Sequence, residues 1–274
     1  MFQIIKNIFR FLIFSNLFVA CCILSLFLSS EILLESKNYN LAVFVFFATI
    51  FTYNFQRIVR IKKGIQHTRK SWLENYKKTI MYLIFFSSCV SFYYFFSFNY
   101  TTQLTIILCA IISLLYPFGL RQVPFLKIFI ISIIWTTSTF LILVFENNIV
   151  FDNTMLLHFL TRLFFVFSIT IPFDIRDLQF DNYRLKTIPI FFGEIKARII
   201  AVIFLIFSEL MCVYLFFSNS LSSHYLLAIS ISFLLASIFI LNSTKEKSEM
   251  YFSFGVESIS IIFYIILLIS SCMV

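Results

Sequence analysis

The segment DIRDLQFDNYRLKTIPIFFGEIKA spans residues 174–197 and follows a long apolar run. It brings Asp174, Asp177 and Asp181 together in a chain that has a formal net charge of +8 and only 13 acidic residues. On a helix with about 100° per residue, these three positions fall within an arc of about 60°. Three carboxylates on one stripe repel one another, so the spacing predicts that they share a cation.

The rest of the chain has the composition of a membrane protein. Hydrophobic residues make up 61% of its 274 residues and charged residues 12%, whereas soluble domains carry roughly 25% charged residues. Apolar runs near the length of about 20 residues that a membrane-spanning helix needs recur along the whole sequence. We read nine of them: 11–29, 41–60, 79–98, 102–120, 126–145, 154–173, 197–217, 224–242 and 251–272. No polar linker divides the chain, so the fold class predicted is an all-α membrane protein with nine transmembrane helices in one domain, residues 1–274.

The basic residues predict the orientation. With the N-terminus inside, 19 of the 21 Lys and Arg residues fall on the inner side, while Lys37 lies in an outer loop and Arg162 within a span. The positive-inside rule then places the N-terminus in the cytoplasm, the C-terminus outside and the aspartates on the cytoplasmic face. We expect an integral protein of a bacterial cytoplasmic membrane. Topology explains the positive charge, so no nucleic acid is expected as a partner.

Mg²⁺ is the natural partner of clustered carboxylates, because it prefers oxygen ligands and often bridges one or two carboxylates to substrate phosphates. The cluster lies at the membrane boundary beside apolar helices, a position that suits a ligand with a diphosphate head and a hydrocarbon tail. A solvated loop in which Arg176, Arg184 and Lys186 neutralise the aspartates would have the same spacing. The spacing alone does not separate these two interpretations.

The segment resembles the second aspartate motif of the UbiA family of intramembrane prenyltransferases. That motif reads D-x-R-D-x-x-x-D, then [KR]-T-[LI]-P and a Gly before the next helix. The matching positions are Asp174, Arg176, Asp177, Asp181, Lys186, Thr187, Pro189, Gly193 and Ala197. The stretch LYPFGLRQVP (115–124) is similar to the family's Tyr-x-x-x-[KR]-Arg sequence through Tyr116 and Arg121. The resemblance implies a UbiA-like bundle that moves a prenyl group from a prenyl diphosphate to a lipophilic, commonly aromatic, acceptor in the membrane lipid.

The first aspartate motif of that family is degenerate here. In TYNFQRIVR (52–60), the three aspartate positions hold Tyr53, Gln56 and Arg60. We therefore expect one Mg²⁺ ion rather than two, held by Asp174, Asp177 and Asp181, which the resemblance also makes the catalytic residues. The guanidinium group of arginine can bind phosphate oxygens directly, because its N–H donors match their spacing. The predicted substrate-binding residues are Arg57, Arg60, Asn54, Arg176, Lys186, Tyr116 and Arg121. Two alternatives stay open: a non-catalytic relative that binds an isoprenoid lipid or a protein partner, and a transporter of a lipid or metabolite.

Arg162, Glu209 and Glu257 lie well inside predicted spans, away from their ends, where an unpaired charge costs a few kcal/mol or more. Arg162 and Glu209 lie at similar depths in consecutive antiparallel spans, which predicts an ion pair between them. Glu257 lies nearer the inner side, where a hydrogen bond to a neighbouring helix is expected and the cavity is within reach. Trp135 and Tyr116 are candidates to line that cavity, because aromatic faces stabilise cations.

Overall fold

A computed structural model describes residues 2–62, 70–119, 123–178 and 187–273. Regular secondary structure within these ranges is helical throughout. The α-helices are α1 (Phe2–Phe14), α2 (Leu17–Leu33), α3 (Tyr39–Lys62), α4 (Lys70–Asn75), α5 (Lys77–Phe95), α6 (Tyr100–Leu115), α7 (Leu126–Thr136), α8 (Ile142–Glu146), α9 (Asn153–Asp177), α10 (Ile188–Phe192), α11 (Glu194–Phe217), α12 (Ser223–Leu241) and α13 (Glu257–Ser271). A π-helical turn joins α7 to α8, and another precedes α13.

Eight helical segments are long and apolar enough to cross a membrane. They are α3, α5, α6 with the 3₁₀ turn that extends it to Phe118, the continuous α7–α8 segment, α9, α11, α12 and α13 with its preceding turn. These segments confirm the second to ninth predicted spans as helices of spanning length. The first predicted span consists instead of two helices, Lys6–Phe14 and Leu17–Leu33, which meet at 65°. A ninth crossing and the orientation of the termini stay predictions.

A buried polar contact holds the bend between α1 and α2. Asn16, at the bend, has a left-handed backbone (φ 63°), and its Nδ2 donates to Asn54 Oδ1 on α3 at 2.8 Å. Asn54 Nδ2 in turn donates to the carbonyls of Ser15 and Ile50, each at 2.9 Å. Since a buried amide is costly unless its groups are paired, Asn54 stabilises the bend.

The spanning helices form a ring that follows the chain order. α2 packs on α3 and α3 on α5, and α6 joins α3 to α8. On the other side α7 packs on α9, α9 on α11, α11 on α12 and α12 on α13. The ring closes where α13 packs against α2. Phe165 of α9 stacks against both Phe233 and Phe263, with ring centroids 5.3 Å from each. The outer surface carries exposed apolar side chains such as Phe85 and Leu210, as expected for a surface in contact with lipid.

The predicted ion pair between Arg162 and Glu209 is wrong. Arg162 Nη1 donates to the carbonyl of Leu26 on α2 at 2.7 Å, and its guanidinium lies over the Phe263 ring at 5.3 Å. Glu209 accepts a short hydrogen bond from Ser230 of α12. α9 and α11 do pack together, but Ser208 faces α9 and donates to the Thr161 carbonyl. Glu209, one residue further along, is rotated by about 100° towards α12. The prediction compared only the positions of the two residues along their helices. It did not consider the direction in which each side chain points around the helix axis, and Glu209 points away from α9.

Candidate functional site

The C-terminal end of α9 positions the two aspartates that the structure describes. Pro172 within this helix has no N–H and cannot complete the hydrogen bond to the carbonyl four residues earlier. Asp174 and Asp177 follow it, three residues apart and so on one face of the helix. Asp174 is buried at 2% exposure, whereas Asp177 borders the cavity described below.

Lys127 of α7 lies between these two carboxylates. Its Nζ is 2.6 Å from Asp174 Oδ1 and 2.9 Å from Asp177 Oδ2, and the contact with Asp177 is also a directed hydrogen bond. The side chains of Lys127, Asp174 and Asp177 are only 9%, 1% and 14% exposed. The two aspartates therefore do share a cation, as their spacing predicts, and this cation is an ammonium supplied by the chain.

Arg176 holds the other oxygen of Asp177. Its Nη2 and Nε donate to Asp177 Oδ1 at 2.8 and 3.0 Å. Arg176 Nη1 lies 3.5 Å from Glu249 Oε1, and Ser253 donates to that same carboxylate oxygen at 2.8 Å. Asp177 is therefore held from both sides by cations, which fixes its orientation at the end of the helix.

The α3 face opposite carries the residues that replace the first aspartate motif. Tyr53 accepts a hydrogen bond at its hydroxyl from Trp135 Nε1 at 2.8 Å, and Gln56 Nε2 donates to the Ser113 carbonyl at 2.8 Å. These side chains tie α3 to its neighbours in the ring. Arg57 Nη1 donates to the carbonyl of Phe14, at the end of α1, at 3.3 Å.

A cavity of about 600 Å³ lies between these two faces, within the range of small-molecule sites. Its walls come from α2, α3, α5, α6, α7, α9 and α13. Most of the wall is apolar, including Ile23, Phe51, Ile106, Ile134 and Ile169. Charged side chains also line it, with Arg57 and Arg60 near the end of α3 and Arg176 and Asp177 at the end of α9. We call this part of the cavity the charged end.

Positive charge exceeds negative charge among the described lining residues. The cations are Arg57, Arg60, Lys127 and Arg176, and the anions are Asp177 and Glu257. Their formal charges sum to a net positive value on the wall itself. Asp174 and Glu249, outside the lining, contact Lys127 and Arg176 and offset their charge, so Arg57 and Arg60 make the α3 face the cationic side of the cavity. The charged end is therefore suited to an anionic group, and the apolar walls to a hydrocarbon.

The predicted site residues divide into three groups. The cavity is lined by Arg57, Arg60, Arg176, Asp177 and Tyr116, and also by Trp135. Asp174 is not part of the lining but contacts Lys127, which is. Asn54 is not among the lining residues, since its amide is taken up by the bend between α1 and α2. Asp181, Lys186 and Arg121 lie outside the described residues.

Sequence reasoning missed Lys127 and Glu249. In the sequence Lys127 is one of many basic residues on the inner side, although a lysine at the second position of an apolar span is itself a signal. Glu249 reaches Arg176 from a segment 73 residues away, and nothing in the sequence indicates that contact. Glu257 was expected within reach of the cavity and does line it.

Two carboxylates among the described residues could serve as ligands of a divalent ion. Asp174 and Asp177 converge on a single point, the Lys127 ammonium, so they can share one cation. In the part of the chain that the structure describes, no three His, Cys, Asp or Glu side chains converge on a metal site. The α3 face offers Tyr53, Gln56 and Arg60 and no carboxylate at the matching positions. Asp174 and Asp177 are therefore the described carboxylates that a hard cation such as Mg²⁺ could share, with water or phosphate completing its shell.

Comparison with known proteins places the chain in a family. The UbiA prenyltransferase family model matches residues 75–264, which is more than half of the chain. No significant match is found among curated protein sequences.

Solved structures give the same fold at low identity. A digeranylgeranylglyceryl phosphate synthase superposes with a TM-score of 0.63 and 17% identity, over 98% of this chain and 100% of that chain. A UbiA homologue from Archaeoglobus fulgidus bound to GPP and Mg²⁺ superposes with a TM-score of 0.65 and 12% identity, over 94% of this chain and 99% of that chain. A UbiA homologue from Aeropyrum pernix K1 in its apo form superposes with a TM-score of 0.63 and 15% identity, over 96% of this chain and 98% of that chain. At these identities the structures establish the fold, and together with the family match they show that the chain belongs to the UbiA prenyltransferase family.

Proposed function

We propose that the protein binds a prenyl diphosphate and transfers its prenyl group to a lipophilic acceptor within the membrane. The observation that carries this proposal is one cavity that joins a net positive end to apolar walls. An amphipathic ligand with an anionic head and an isoprenoid tail complements both parts. Homologues from Archaeoglobus fulgidus have been captured with GPP and with DMAPP, each together with Mg²⁺.

In this proposal the charged end holds the diphosphate. Arg57 and Arg60 would bind phosphate oxygens from the α3 face, and Arg176 from the α9 face. Guanidinium groups are suited to this because their donors match the spacing of phosphate oxygens. Tyr116 would line the path of the head group, and the apolar walls would enclose the tail.

One Mg²⁺ ion would be held by Asp174 and Asp177, with Asp181 as a further candidate. When bound, the ion supplies a Lewis acid that offsets negative charge on the departing diphosphate. The proposal of a single ion is supported by the α3 face, which has no carboxylate at the three motif positions to hold a second.

Transfer would break the bond between the prenyl carbon and the diphosphate oxygen. The electron pair leaves with the diphosphate, where Arg57, Arg60 and Arg176 stabilise it in a water-poor site. The resulting allylic cation lies among aromatic faces that include Trp135 and Tyr116. The acceptor supplies the electron pair for the new bond, and Glu257, a carboxylate in the cavity wall, would receive the proton that the acceptor releases.

We also propose nine crossings in one domain, with the N-terminus in the cytoplasm and the charged end on the cytoplasmic side of a bacterial membrane. The distribution of basic residues supports this orientation. A reporter that matures only in the cytoplasm should stay inactive when fused to the C-terminus. Activity of that fusion would reverse the orientation.

A second candidate function is isoprenoid-lipid binding without catalysis. The observation that favours it is the engagement of Tyr53 and Gln56 in contacts with Trp135 and Ser113, at positions that hold aspartates in the family motif. These side chains stabilise the bundle and bring no metal ligand.

Radiolabelled geranylgeranyl diphosphate, presented to the purified protein in nanodiscs with a lipid extract, separates these functions. Transfer predicts Mg²⁺-dependent label in a new lipophilic product that diphosphate hydrolysis does not explain. Binding of the labelled diphosphate without any product would favour the non-catalytic function. Absence of both binding and product would contradict the two proposals together.

A further inference from the structure

The position of Lys127 has a consequence for metal binding. Its ammonium contacts Asp174 Oδ1 and Asp177 Oδ2, which are oxygens that a divalent ion shared by this pair would use. An ammonium and a metal ion at the same two oxygens would repel each other, and this repulsion is strong in a buried site, where water screens it only weakly.

We infer that Lys127 is an internal competitor of the divalent cation at Asp174 and Asp177. The metal enters only when the lysine withdraws, so the protein has a low intrinsic metal affinity. This inference deepens the proposed function and rests on it, because it concerns the same carboxylate pair.

The surroundings of Lys127 support an exchange of this kind. The three side chains are largely shielded from solvent, so water screens their attraction only weakly. Arg176 holds the other oxygen of Asp177, so this carboxylate keeps its orientation while its Oδ2 changes partner.

The Lys127 side chain also has space to move away from the carboxylates, because it lines the cavity. A lysine has a flexible four-carbon stem with a compact charge at its end. A diphosphate bound at the charged end would offer the displaced ammonium a new anion. Metal and diphosphate are therefore expected to bind cooperatively, with each raising the affinity for the other.

The test uses Mn²⁺, which accepts the same oxygen ligands and whose free form is followed by electron paramagnetic resonance. Lys127→Met in the full-length, detergent-purified protein is expected to bind Mn²⁺ at least about tenfold more tightly than wild type, because removing the lysine leaves a buried carboxylate pair without this counter-ion. Lys127→Arg keeps the charge and should stay close to wild type. Lys245→Met, which removes a lysine 3.8 Å from Glu194, is the matched control and should leave the affinity unchanged.

Equal Mn²⁺ affinity in wild type and Lys127→Met would overturn the inference, although the metal site of the proposed function would stand. No Mn²⁺ binding by either protein, with or without geranylgeranyl diphosphate, would remove both. If Lys127→Met does not fold, amine labelling of the wild-type protein read by mass spectrometry answers the same question. Labelling of Lys127 should increase with Mn²⁺ alone, because the displaced ammonium then has no bound diphosphate beside it, and an unchanged rate would overturn the inference.

Discussion

Replacing Asp177 with Asn is expected to change diphosphate binding in opposite directions with and without Mg²⁺. Asp177 is a proposed metal ligand, and it also neutralises Lys127 and Arg176 through contacts of 2.8 to 3.0 Å. The amide keeps the shape of the side chain and removes its charge. The variant therefore weakens the metal site while it releases two cations towards the cavity.

Both effects have magnitudes that binding assays resolve. Removing one member of a buried, hydrogen-bonded charge pair costs about 2–5 kcal/mol, so loss of one of two carboxylate ligands should weaken Mg²⁺-dependent binding by about 30-fold or more. Without metal, one negative charge disappears beside the bound diphosphate. Two unit charges 4 Å apart interact by about 4 kcal/mol near a protein surface. Even a third of that value, after solvent screening, strengthens metal-free binding by about tenfold.

Calorimetric titration of purified protein with geranylgeranyl diphosphate, in excess Mg²⁺ and in excess chelator, measures both affinities. Glu249→Gln is the matched control, because Glu249 contacts Arg176 at 3.5 Å but is not among the residues lining the cavity. We expect that control to change either affinity by less than about threefold. Parallel losses in Asp177→Asn under both conditions would indicate a general structural defect, and two unchanged affinities would exclude Asp177 from the site.

Three further predictions concern other parts of the molecule. Arg60→Gln should weaken metal-free diphosphate binding by about tenfold or more, since a charge-assisted contact contributes about 1.5–3 kcal/mol; an unchanged affinity in chelator would remove Arg60 from the site. Asn54→Ala should lower the free energy of unfolding by about 2 kcal/mol, because Asn16 and the Ser15 carbonyl lose their buried partner; thermal unfolding measures this, and a loss of diphosphate affinity at full stability would instead give Asn54 a binding role. A double-mutant cycle of Arg162→Met and Glu209→Gln should be additive within about 0.5 kcal/mol because the two side chains have different partners; a coupling above about 1 kcal/mol would restore the ion pair.

Hydropathy predicted the helices because a membrane leaves the backbone few choices. An apolar run of spanning length must satisfy its own hydrogen bonds, so eight of the predicted spans correspond to helices within a few residues at their ends. The break before Leu17 could not be predicted in this way. It depends on the left-handed backbone of Asn16 and on Asn54, which is distant in sequence and carries no local sign of the contact.

The candidate site shows the same division between local and long-range information. Spacing alone placed Asp174 and Asp177 on one helix face and indicated a shared cation. It could not identify that cation as Lys127, because the contact depends on how α7 packs against α9. Likewise, the degenerate first motif was visible in the sequence, whereas the new partners of Tyr53 and Gln56 required the ring of helices.

The most direct test of the central claim is the binding of geranylgeranyl diphosphate to the purified wild-type protein, with Mg²⁺ and with excess chelator. We expect binding in both conditions, tighter with Mg²⁺, because Asp174 and Asp177 are proposed to hold an ion while Arg57, Arg60 and Arg176 contact the diphosphate directly. Failure to bind this diphosphate or a shorter prenyl diphosphate under either condition would contradict it.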